Sequence, residues 1–312
     1  MSFSDLEIHL KIVEYKAKSS KIGRFLDAPW RYASSQLHRT IVFPFTKKGI
    51  LRQAQTFTGY PLSILLPAGL DIYLTGGKTH DSEIRLARFM IQYCEHLGTV
   101  FNKQRTFTFV DIGAHVGYFS LLAAVLIKNQ GRVFSFEAAK GTFDLLEKNL
   151  KPHANTKTFH NAVTDVETDL TFYEFPVLYS EYNTLHAKQF ENESWYQRFK
   201  PEATMVKGIT LDHIFEEFAL KNPLIKIDTE GAEAQVIKGG IKALSAQTPV
   251  IVMEFLTKNN EPHKEAFKIL NALNYEAHFI KPNGSISLLS DIDNYFKING
   301  LDSDNFVFIK TS

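Results

Sequence analysis

The chain has 312 residues, of which 44% are hydrophobic and 22% are charged, and its 35 Lys and Arg nearly balance its 34 Asp and Glu. This composition is typical of a globular protein with a sizeable core, and it excludes a nucleic-acid binder held by net charge. Cys94 is the only cysteine, which excludes an internal disulfide and a cysteine metal cluster. No apolar run is long enough to span a bilayer, and we expect a soluble, cytoplasmic protein.

The first third of the chain predicts an extension of helices and short strands. Ser4 and Glu7 form a capping-box pattern at the start of an amphipathic helix, whose apolar residues are Leu6, Leu10 and Val13. Short apolar runs separated by proline and glycine follow, and this pattern is typical of strands or hairpins. These runs are residues 41–45, 62–66 and 70–74.

A glycine pair and several polar residues lie near the end of this extension. Residues 76–79 (Gly-Gly-Lys-Thr) resemble the end of a phosphate-binding loop, but Ile72 stands where that motif requires glycine, so we reject a phosphate site. Asp81 can cap a helix that continues to about residue 97. Two interpretations of His80, Asp81 and Glu83 stay open, because they can serve as caps or as part of a lid over a cleft.

The stretch from residue 107 to residue 127 has the most informative pattern of the chain. Apolar, β-branched and aromatic residues predict a buried strand, which is followed by Asp111, by Gly113 and Gly117, and by an apolar helix. Glycines in such a turn let the backbone approach a ligand, and the helix start offers free N–H groups to an anion. The stretch therefore predicts a ligand cradle between a strand and a helix.

Strands and helices alternate beyond this cradle, which predicts a parallel sheet with helices on both faces. Further strands are predicted at residues 131–137, 158–163, 170–175, 224–228, 249–254, 275–280 and 306–309, and further helices at 143–150, 209–218 and 264–273. Residues 176–201 have no clear period and are rich in aromatic side chains, which indicates a lid or a binding loop.

Four acids stand at the ends of predicted parallel strands, namely Asp111, Glu137, Asp228 and Glu254. Ligands bind at the carboxyl edge of an open α/β sheet, so we expect these side chains to surround one site. Glu137 follows the glycine cradle by about twenty residues, a position from which a carboxylate can accept both hydroxyls of an adenosine ribose. The spacing indicates a cofactor that contains a nucleoside.

Two cofactors compete for such a site. A nicotinamide dinucleotide requires G-x-G-x-x-G, whereas this chain has Asp111 at the first of these positions and Val116 at the third. An acid repels a pyrophosphate, but S-adenosylmethionine carries no phosphate and has an ammonium and a sulfonium group. The replacement of glycine by aspartate favours S-adenosylmethionine. A nicotinamide (NAD) dehydrogenase and a non-catalytic cofactor-binding module are the alternatives.

Several motifs together resemble the FkbM family of S-adenosylmethionine-dependent methyltransferases. They are residues 110–120 (VDIGAHVGYFS), 134–137 (FSFE), 161–163 (NAV), 210–212 (TLD), 226–233 (KIDTEGAE) and 249–254 (PVIVME). The resemblance covers about residues 107–255. The chain departs from the family pattern at His115, where Asn is common, and at Ala138, where Pro is common. His115 would alter the methionine end of the site or reach the substrate.

The resemblance implies a Rossmann-like α/β fold with a seven-stranded class I methyltransferase sheet whose last strand is antiparallel. It implies a catalytic domain at residues 106–312, preceded by an α+β extension at residues 1–105, and O-methylation of a hydroxyl on a small molecule, sugar or glycan. It carries over the cofactor-binding positions Asp111, Gly113, Ala114, Gly117, Tyr118, Glu137, Ala138, Asn161, Ala162 and Asp228.

Methyl transfer to a hydroxyl requires alignment of the reactants and a base within hydrogen-bond reach of the acceptor. Our candidates are Asp228, Glu230 and His115, in that order. Asp228 could instead orient the cofactor amine, and Glu230 could instead cap the next helix. Three carboxylates, Asp228, Glu230 and Glu254, could also hold Mg²⁺, but we do not favour a metal because the cofactor alone requires acids along this edge. The oligomeric state stays open.

Overall fold

The computed structural model describes residues 1–100, 107–258 and 261–311. Its helices are α1 (Phe3–Lys18), α2 (Lys21–Asp27), α3 (Pro29–Leu37), α4 (Phe43–Thr46), α5 (Leu70–Thr75), α6 (Asp81–Val100), α7 (Tyr118–Ile127), α8 (Lys140–Leu150), α9 (Leu211–Glu217), α10 (Glu233–Lys238), α11 (Ile241–Ala246), α12 (Glu261–Ala272) and α13 (Ile292–Asn299). A π-helix (His38–Val42) joins α3 to α4. Within these described ranges, no helix is both long enough and apolar enough to cross a membrane.

The strands fall into one large sheet and two small ones. They are β1 (Ile50–Gln55), β2 (Pro61–Leu66), β3 (Phe107–Ile112), β4 (Gly131–Glu137), β5 (Thr156–His160), β6 (Ala162–Thr164), β7 (Asp169–Glu174), β8 (Glu202–Thr210), β9 (Leu224–Ile227), β10 (Val250–Leu256), β11 (Tyr275–Ile280), β12 (Ile286–Leu288) and β13 (Ser303–Lys310). β1 and β2 form an antiparallel hairpin, and β6, β8 and β7 form a three-stranded sheet.

The large sheet has the strand order β12-β11-β13-β10-β9-β3-β4-β5. Its central strands β10, β9, β3, β4 and β5 are parallel, and β13 runs antiparallel between β10 and β11. Seven of these strands reproduce the fold class expected from the sequence, including the antiparallel last strand. β12 adds an eighth strand at the edge, where it pairs with β11.

Two apolar cores lie on opposite faces of the large sheet. Consecutive side chains of a strand point to opposite faces, so Phe109 belongs to one core and Val110 to the other. Helices α1, α6 and α7 contribute to the first core, and α9 to α13 to the second. The proposed domain boundary at residues 105/106 lies outside the described residues. Helices α1 and α6, which precede it, share their core with the strands that follow it.

The N-terminal extension differs from its sequence-based prediction in two ways. The capping box of α1 is formed by Ser2 and Asp5, not by Ser4 and Glu7. Both pairs have the three-residue spacing of a capping box, so the spacing alone does not distinguish them. Residues 41–45 and 70–74 are helical rather than extended, whereas 62–66 lies in β2 as expected. An apolar run of five residues fits a strand and a buried helix equally well, so tertiary packing decides between them.

Three differences occur in the second half of the chain. The strand expected at residues 158–163 is divided at Asn161, because β5 pairs with β4 while β6 pairs with β8. β8 was not predicted, because its exposed and polar positions hide its strand pattern, and its last two residues were assigned to the helix expected at residues 209–218. The short helix α13 and the edge strand β12 were also missed.

Candidate active site

A cleft of about 570 Å³ opens at the carboxyl edge of the large sheet. Its walls include Glu137 at the end of β4, Asp228 directly after β9, and Glu254 in β10. The register explains this meeting, because Asp111 of β3 lies opposite Lys226 of β9, two residues before Asp228. Because the carboxyl ends of parallel strands lie at the same edge of a sheet, the acids at those ends lie together.

The turn after β3 depends on close backbone approach at Gly113. Its φ of 76° is left-handed, and a Cβ atom added here would lie 1.8 Å from the carbonyl oxygen of Asp228. The backbone N–H groups of Gly113 and Ala114 both donate to the carbonyl of Phe136 at 3.0 Å. The turn is thereby fixed to β4 on one side and to the end of β9 on the other. Gly117, with φ 89°, caps α7.

Asp111 lies under the cleft and does not line it. Its Oδ2 accepts a hydrogen bond from Ser120 Oγ at 2.5 Å, whereas its Oδ1 is buried without a hydrogen-bond partner. Burial raises the pKa of this carboxyl, although the charge of Lys226 opposes the rise. Ala114, Gly117 and Tyr118 are likewise absent from the lining among the described residues, and Tyr118 packs against Phe57 of the extension.

Glu137 is held in a fixed orientation by the backbone. One carboxylate oxygen accepts from the N–H of His115 at 2.8 Å, and the other accepts from the N–H of Ala139 at 2.9 Å. Burial raises its pKa to about 7, although both hydrogen bonds act in the opposite direction. Ala138, Asn161 and Ala162 continue the same wall of the cleft.

His115 lines the cleft from a left-handed backbone position with φ 49°. Its Nε2 lies 3.3 Å from Ser180 Oγ. Burial lowers the pKa of the imidazole to about 4, and the nearby ammonium group of Lys78 acts in the same direction. The side chain is therefore neutral at physiological pH and can accept a hydrogen bond.

The pKa values of Asp228, Glu230 and Glu254 are shifted in different directions. Burial opposes ionisation of Asp228, but Lys226 at 2.9 Å and Lys78 outweigh it and bring the pKa of Asp228 to about 2. Burial and the charge of Asp228 raise the pKa of Glu254 well above its usual range, and a hydrogen bond between the two adds to this effect. Burial, with the charges of Glu254 and Asp228, raises the pKa of Glu230 in the same way.

Glu230 stands in a tight turn that Glu233 holds in place. The Glu233 carboxylate accepts from the N–H and hydroxyl of Thr229, both at 3.0 Å, and from the N–H of Gly231 at 3.1 Å. Glu230 has a left-handed φ of 52°, and its carbonyl accepts from Thr184 Oγ1 at 2.8 Å. The N-cap of α10 is Ala232 and has no side-chain cap, so neither Glu230 nor Glu233 caps this helix, and the Glu230 side chain lies on the cleft wall.

Asp228, Glu230 and Glu254 each offer one carboxylate oxygen within 4.8 Å of the others. Such a set can bind a hard cation. In this chain the ammonium of Lys226 already contacts Asp228, and it lies over the ring of Phe119 at 5.3 Å. An internal cation thus compensates part of the acidic charge, and Mg²⁺ stays a disfavoured alternative.

The N-terminal extension contributes three charged residues to the cleft, of which the sequence analysis had considered only Glu83, as part of a lid. Asp71, Lys78 and Glu83 line the cleft, and Lys78 Nζ contacts Glu83 at 2.7 Å. Burial raises the pKa of Glu83 to about 7 and that of Asp71 to about 6. In the sequence, Lys78 follows two glycines, a pattern that indicated a phosphate-binding loop and not this site. No sequence pattern pointed to Asp71.

An aromatic wall faces these charges. The irregular segment expected to be a lid or binding loop brings Tyr182, Phe190 and Trp195 to the cleft. Trp195 stacks on Tyr179 with ring centroids 4.2 Å apart and an interplanar angle of 12°. His186 from the same segment hydrogen-bonds to Gln235 at 2.8 Å and does not line the cleft.

A sheet of this order, with an antiparallel last strand and acids at its carboxyl edge, defines the class I methyltransferase fold. The model of the methyltransferase FkbM domain matches residues 111–277, and the chain belongs to this family. S-Adenosylmethionine is accordingly its methyl donor, and the family decides against the nicotinamide alternative. No curated protein matches the chain.

Solved structures with similar folds include other methyltransferases. One is precorrin-6y C5,15-methyltransferase from Geobacter metallireducens, with a TM-score of 0.37 and 15% identity over 74% of this chain and 88% of that chain. Another is a putative O-methyltransferase from Klebsiella pneumoniae, with a TM-score of 0.40 and 11% identity over 76% and 84% of the two chains. Likenesses this distant carry no argument about the acceptor.

Proposed function

We propose that the protein transfers a methyl group from S-adenosylmethionine to a hydroxyl of a small molecule, sugar or glycan. The observation that carries the proposal is the pair Glu230 and Glu254, whose carboxyls have raised pKa values inside an open cleft. A carboxyl with a pKa closer to neutrality is a better general base than an ordinary one. The open cleft and these acids count against a non-catalytic binding module.

The residues at one end of the cleft suit the cofactor. Glu137 on the cleft wall retains lone pairs for two ribose hydroxyls, whereas Asp111, buried under the cleft, would attract the cofactor ammonium by its charge and not by direct contact. Asn161 and Ala162 would border the adenine, and Lys78 would meet the cofactor carboxylate. When bound, S-adenosylmethionine supplies an electrophilic methyl group on its sulfonium.

The proton balance of the acids changes the order of the candidate bases. Asp228, with a pKa of about 2, stays ionised beside Lys226 and is better suited to orient charge than to accept a proton. The Glu254 carboxyl is engaged by a hydrogen bond to Asp228, which leaves Glu230 as the proposed base for the acceptor hydroxyl. His115 would be a weak base because its pKa is about 4. We therefore propose Glu230 as the catalytic base.

The opposite wall suits an acceptor with a flat apolar face. The rings of Tyr182 and Trp195 lie 5.3 Å apart and nearly parallel, and sugars and planar rings stack on such surfaces. Lys226 supplies positive charge among the acids, so we propose that the reaction needs no metal. Activity that is unchanged after EDTA treatment is the expected result.

Thermal shift with S-adenosylhomocysteine, the demethylated product, tests the cofactor site. A ligand that binds only the folded state at about 100 times its Kd stabilises the protein by about 2.7 kcal/mol. We expect a clear rise in melting temperature with this ligand and none with NAD. Glu137→Ala should abolish the rise, whereas Glu147→Ala, an exposed acid on α8, should preserve it. A normal shift for Glu137→Ala would contradict the assignment.

Methyl transfer tests the base separately from binding. With labelled S-adenosylmethionine and a panel of hydroxylated compounds, Glu230→Gln should lower the transfer rate by about 10²-fold or more while it retains the thermal shift. Removal of the acceptor's proton would then be lost, but the cofactor site would be intact. Transfer by Glu230→Gln at the wild-type rate would move the base to another residue.

A further inference from the structure

The first 48 residues present an exposed apolar surface. Twelve of the twenty large apolar side chains that are exposed in the described part of the chain lie here. Trp30 and Phe45 are each 86% exposed, and Leu26 is 71% exposed. We call the solvent-facing side of α1 to α4 the N-terminal face. Large apolar patches on a folded protein mark interaction sites, whereas single exposed apolar residues do not.

The exposed residues recur at helical spacing, so α1 and the stretch from Pro29 to Thr46 each have an exposed apolar stripe besides their buried one. The helical stretch from Pro29 to Thr46 buries Ser35, His38 and Phe43. Its exposed stripe repeats at intervals of seven, four and four residues, which places the side chains on one side of the helix. The exposed stripes are Ile8, Ile12 and Tyr15 on α1, Ile22, Phe25 and Leu26 on α2, and Trp30, Leu37, Ile41 and Phe45 on the long stretch.

Basic residues accompany these stripes. Residues 1–48 contain nine Lys and Arg against four Asp and Glu, a formal charge of +5 in a chain whose total is only +1. Lys11, Arg39, Lys47 and Lys48 are exposed. Positive charge beside an exposed apolar helix face is the combination found in helices that lie in the surface of an anionic bilayer.

We propose that the N-terminal face binds the surface of an anionic phospholipid bilayer. Trp30 and Phe45 would enter the interface between headgroups and acyl chains, and Lys11 and Lys48 would contact lipid phosphates. A second copy of the chain is the less complementary occupant, because a symmetric contact would set two faces of the same positive charge against each other. The fixed negative charge of the bilayer has the opposite sign.

Aromatic contacts connect this face to the cleft. Phe43, on the buried side of the face, stacks on Phe199 at 6.1 Å, and Phe199 contacts Tyr179 at 5.1 Å. Tyr179 in turn stacks on Trp195 of the cleft wall. The helices that would lie on the bilayer are therefore connected, through Phe43, Phe199 and Tyr179, to the aromatic wall of the cleft. The proposal does not depend on methyl transfer.

Co-sedimentation of the full chain with vesicles tests the proposal. We expect binding to phosphatidylcholine vesicles with about 30% phosphatidylglycerol to exceed binding to pure phosphatidylcholine by about tenfold. About 0.5 M NaCl should weaken it strongly, because the charge component is screened. Trp30→Ser with Phe45→Ser should lower the partition coefficient by about tenfold or more, and Lys11→Gln with Lys48→Gln should reduce the preference for anionic lipid.

A control replaces two other strongly exposed apolar residues that lie outside the N-terminal face. Ile298 and Met205 are 72% and 63% exposed, and Ile298→Ser with Met205→Ser should bind vesicles as the wild type does. All variants should keep the wild-type melting temperature, because the replaced side chains are exposed. The proposal is overturned by a wild type that does not sediment with anionic vesicles, or by Trp30→Ser with Phe45→Ser binding normally. A dimer that this double variant dissociates, without vesicle binding, would assign the face to a second copy.

Discussion

His115 acts through two separate groups. Its backbone N–H orients the Glu137 carboxylate, while its neutral imidazole lines the cleft near Ser180. The backbone role depends on a left-handed φ of 49°, a conformation that Asn adopts more readily than most residues. A change to Asn should therefore preserve the orientation of Glu137 and remove only the titratable ring.

The pH dependence of stability isolates that ring. The pKa of His115 falls to about 4 in the fold, so the unfolded chain binds the additional proton and stability is lost as the pH falls below about 6.5. Between pH 7.5 and pH 5 this contribution is about 2 kcal/mol. We expect the free energy of unfolding, measured with urea, to fall by about 2 kcal/mol less for His115→Asn than for the wild type between pH 7.5 and pH 5.

Ser180→Ala is the matched control for this measurement. It removes the hydroxyl near His115 Nε2 but leaves the buried imidazole in place. Because burial is the main cause of the shift, this variant should keep nearly the wild-type pH dependence. Equal losses for His115→Asn and the wild type would mean that the ring is charged or solvated in the folded state.

Residue identity alone could not rank the acids of the site. The sequence placed Asp228, Glu230 and Glu254 at one sheet edge, and the structure brings them together. Their pKa values differ because, of these three acids, Asp228 is the one whose contact with Lys226, at 2.9 Å, is observed. Such a contact depends on side-chain packing, which strand patterns do not contain. The preference for Glu230 over Asp228 as the base thus follows from the structure.

At the scale of elements, two β–α turns meet through a single glycine. The turn after β3 and the end of β9 approach so closely that Gly113 has no room for a side chain. Gly113→Ala should destabilise the protein by about 3 kcal/mol or more, because it combines a left-handed φ with a clash against backbone. Urea unfolding measures this difference.

Gly141 provides the control, because it lies in α8 and a Cβ atom added there would meet no atom within 4 Å. Gly141→Ala should stabilise the protein by about 0.4–1 kcal/mol, chiefly by lowering the entropy of the unfolded chain. The two substitutions make the same chemical change with opposite expected signs. Similar small effects at both positions would show that the β3 turn can move away from Asp228.

The elements that the sequence predicted best are those with an unambiguous pattern. β3, β4 and β9 are buried on both sides and read as continuous apolar runs. β8 has several exposed positions and lies outside the large sheet, so its composition resembled that of a loop. Residues 70–74 form α5 because they pack beside β1, a contact that five apolar residues do not specify.

For the whole molecule, residues of both the N-terminal extension and the large sheet line the cleft. Lys78 and Glu83 enter it from the extension, and Asp228 from the sheet. The sequence predicted the sheet side from strand ends, but it could not predict which surface of the extension would cover that edge. Packing of α1, α6 and α7 in one core decides this. The lid interpretation of Glu83 stays a prediction, supported by its position on the cleft wall.

Arg88 on α6 connects three parts of the molecule. Its guanidinium contacts Glu7 and Glu14 of α1, each at 2.8 Å, and donates to the carbonyl of Pro282 in the turn between β11 and β12. The side chain is only 6% exposed, so its removal leaves partly buried carboxylates without a cation. The residue therefore couples the extension to the edge of the large sheet.

Arg88→Met should lower the free energy of unfolding by about 1–3 kcal/mol, because the partly buried carboxylates of Glu7 and Glu14 lose their cation. Arg52→Met is the control, since Arg52 is exposed on β1 and bonds only to the neighbouring carbonyl of Leu51 among the described contacts. It should change stability by about 0.5 kcal/mol or less.

Because the extension shares its core with the sheet, calorimetry should record one cooperative transition for the wild type and for Arg88→Met. A second transition in Arg88→Met alone would instead mean that Arg88 is what makes the extension and the sheet unfold together.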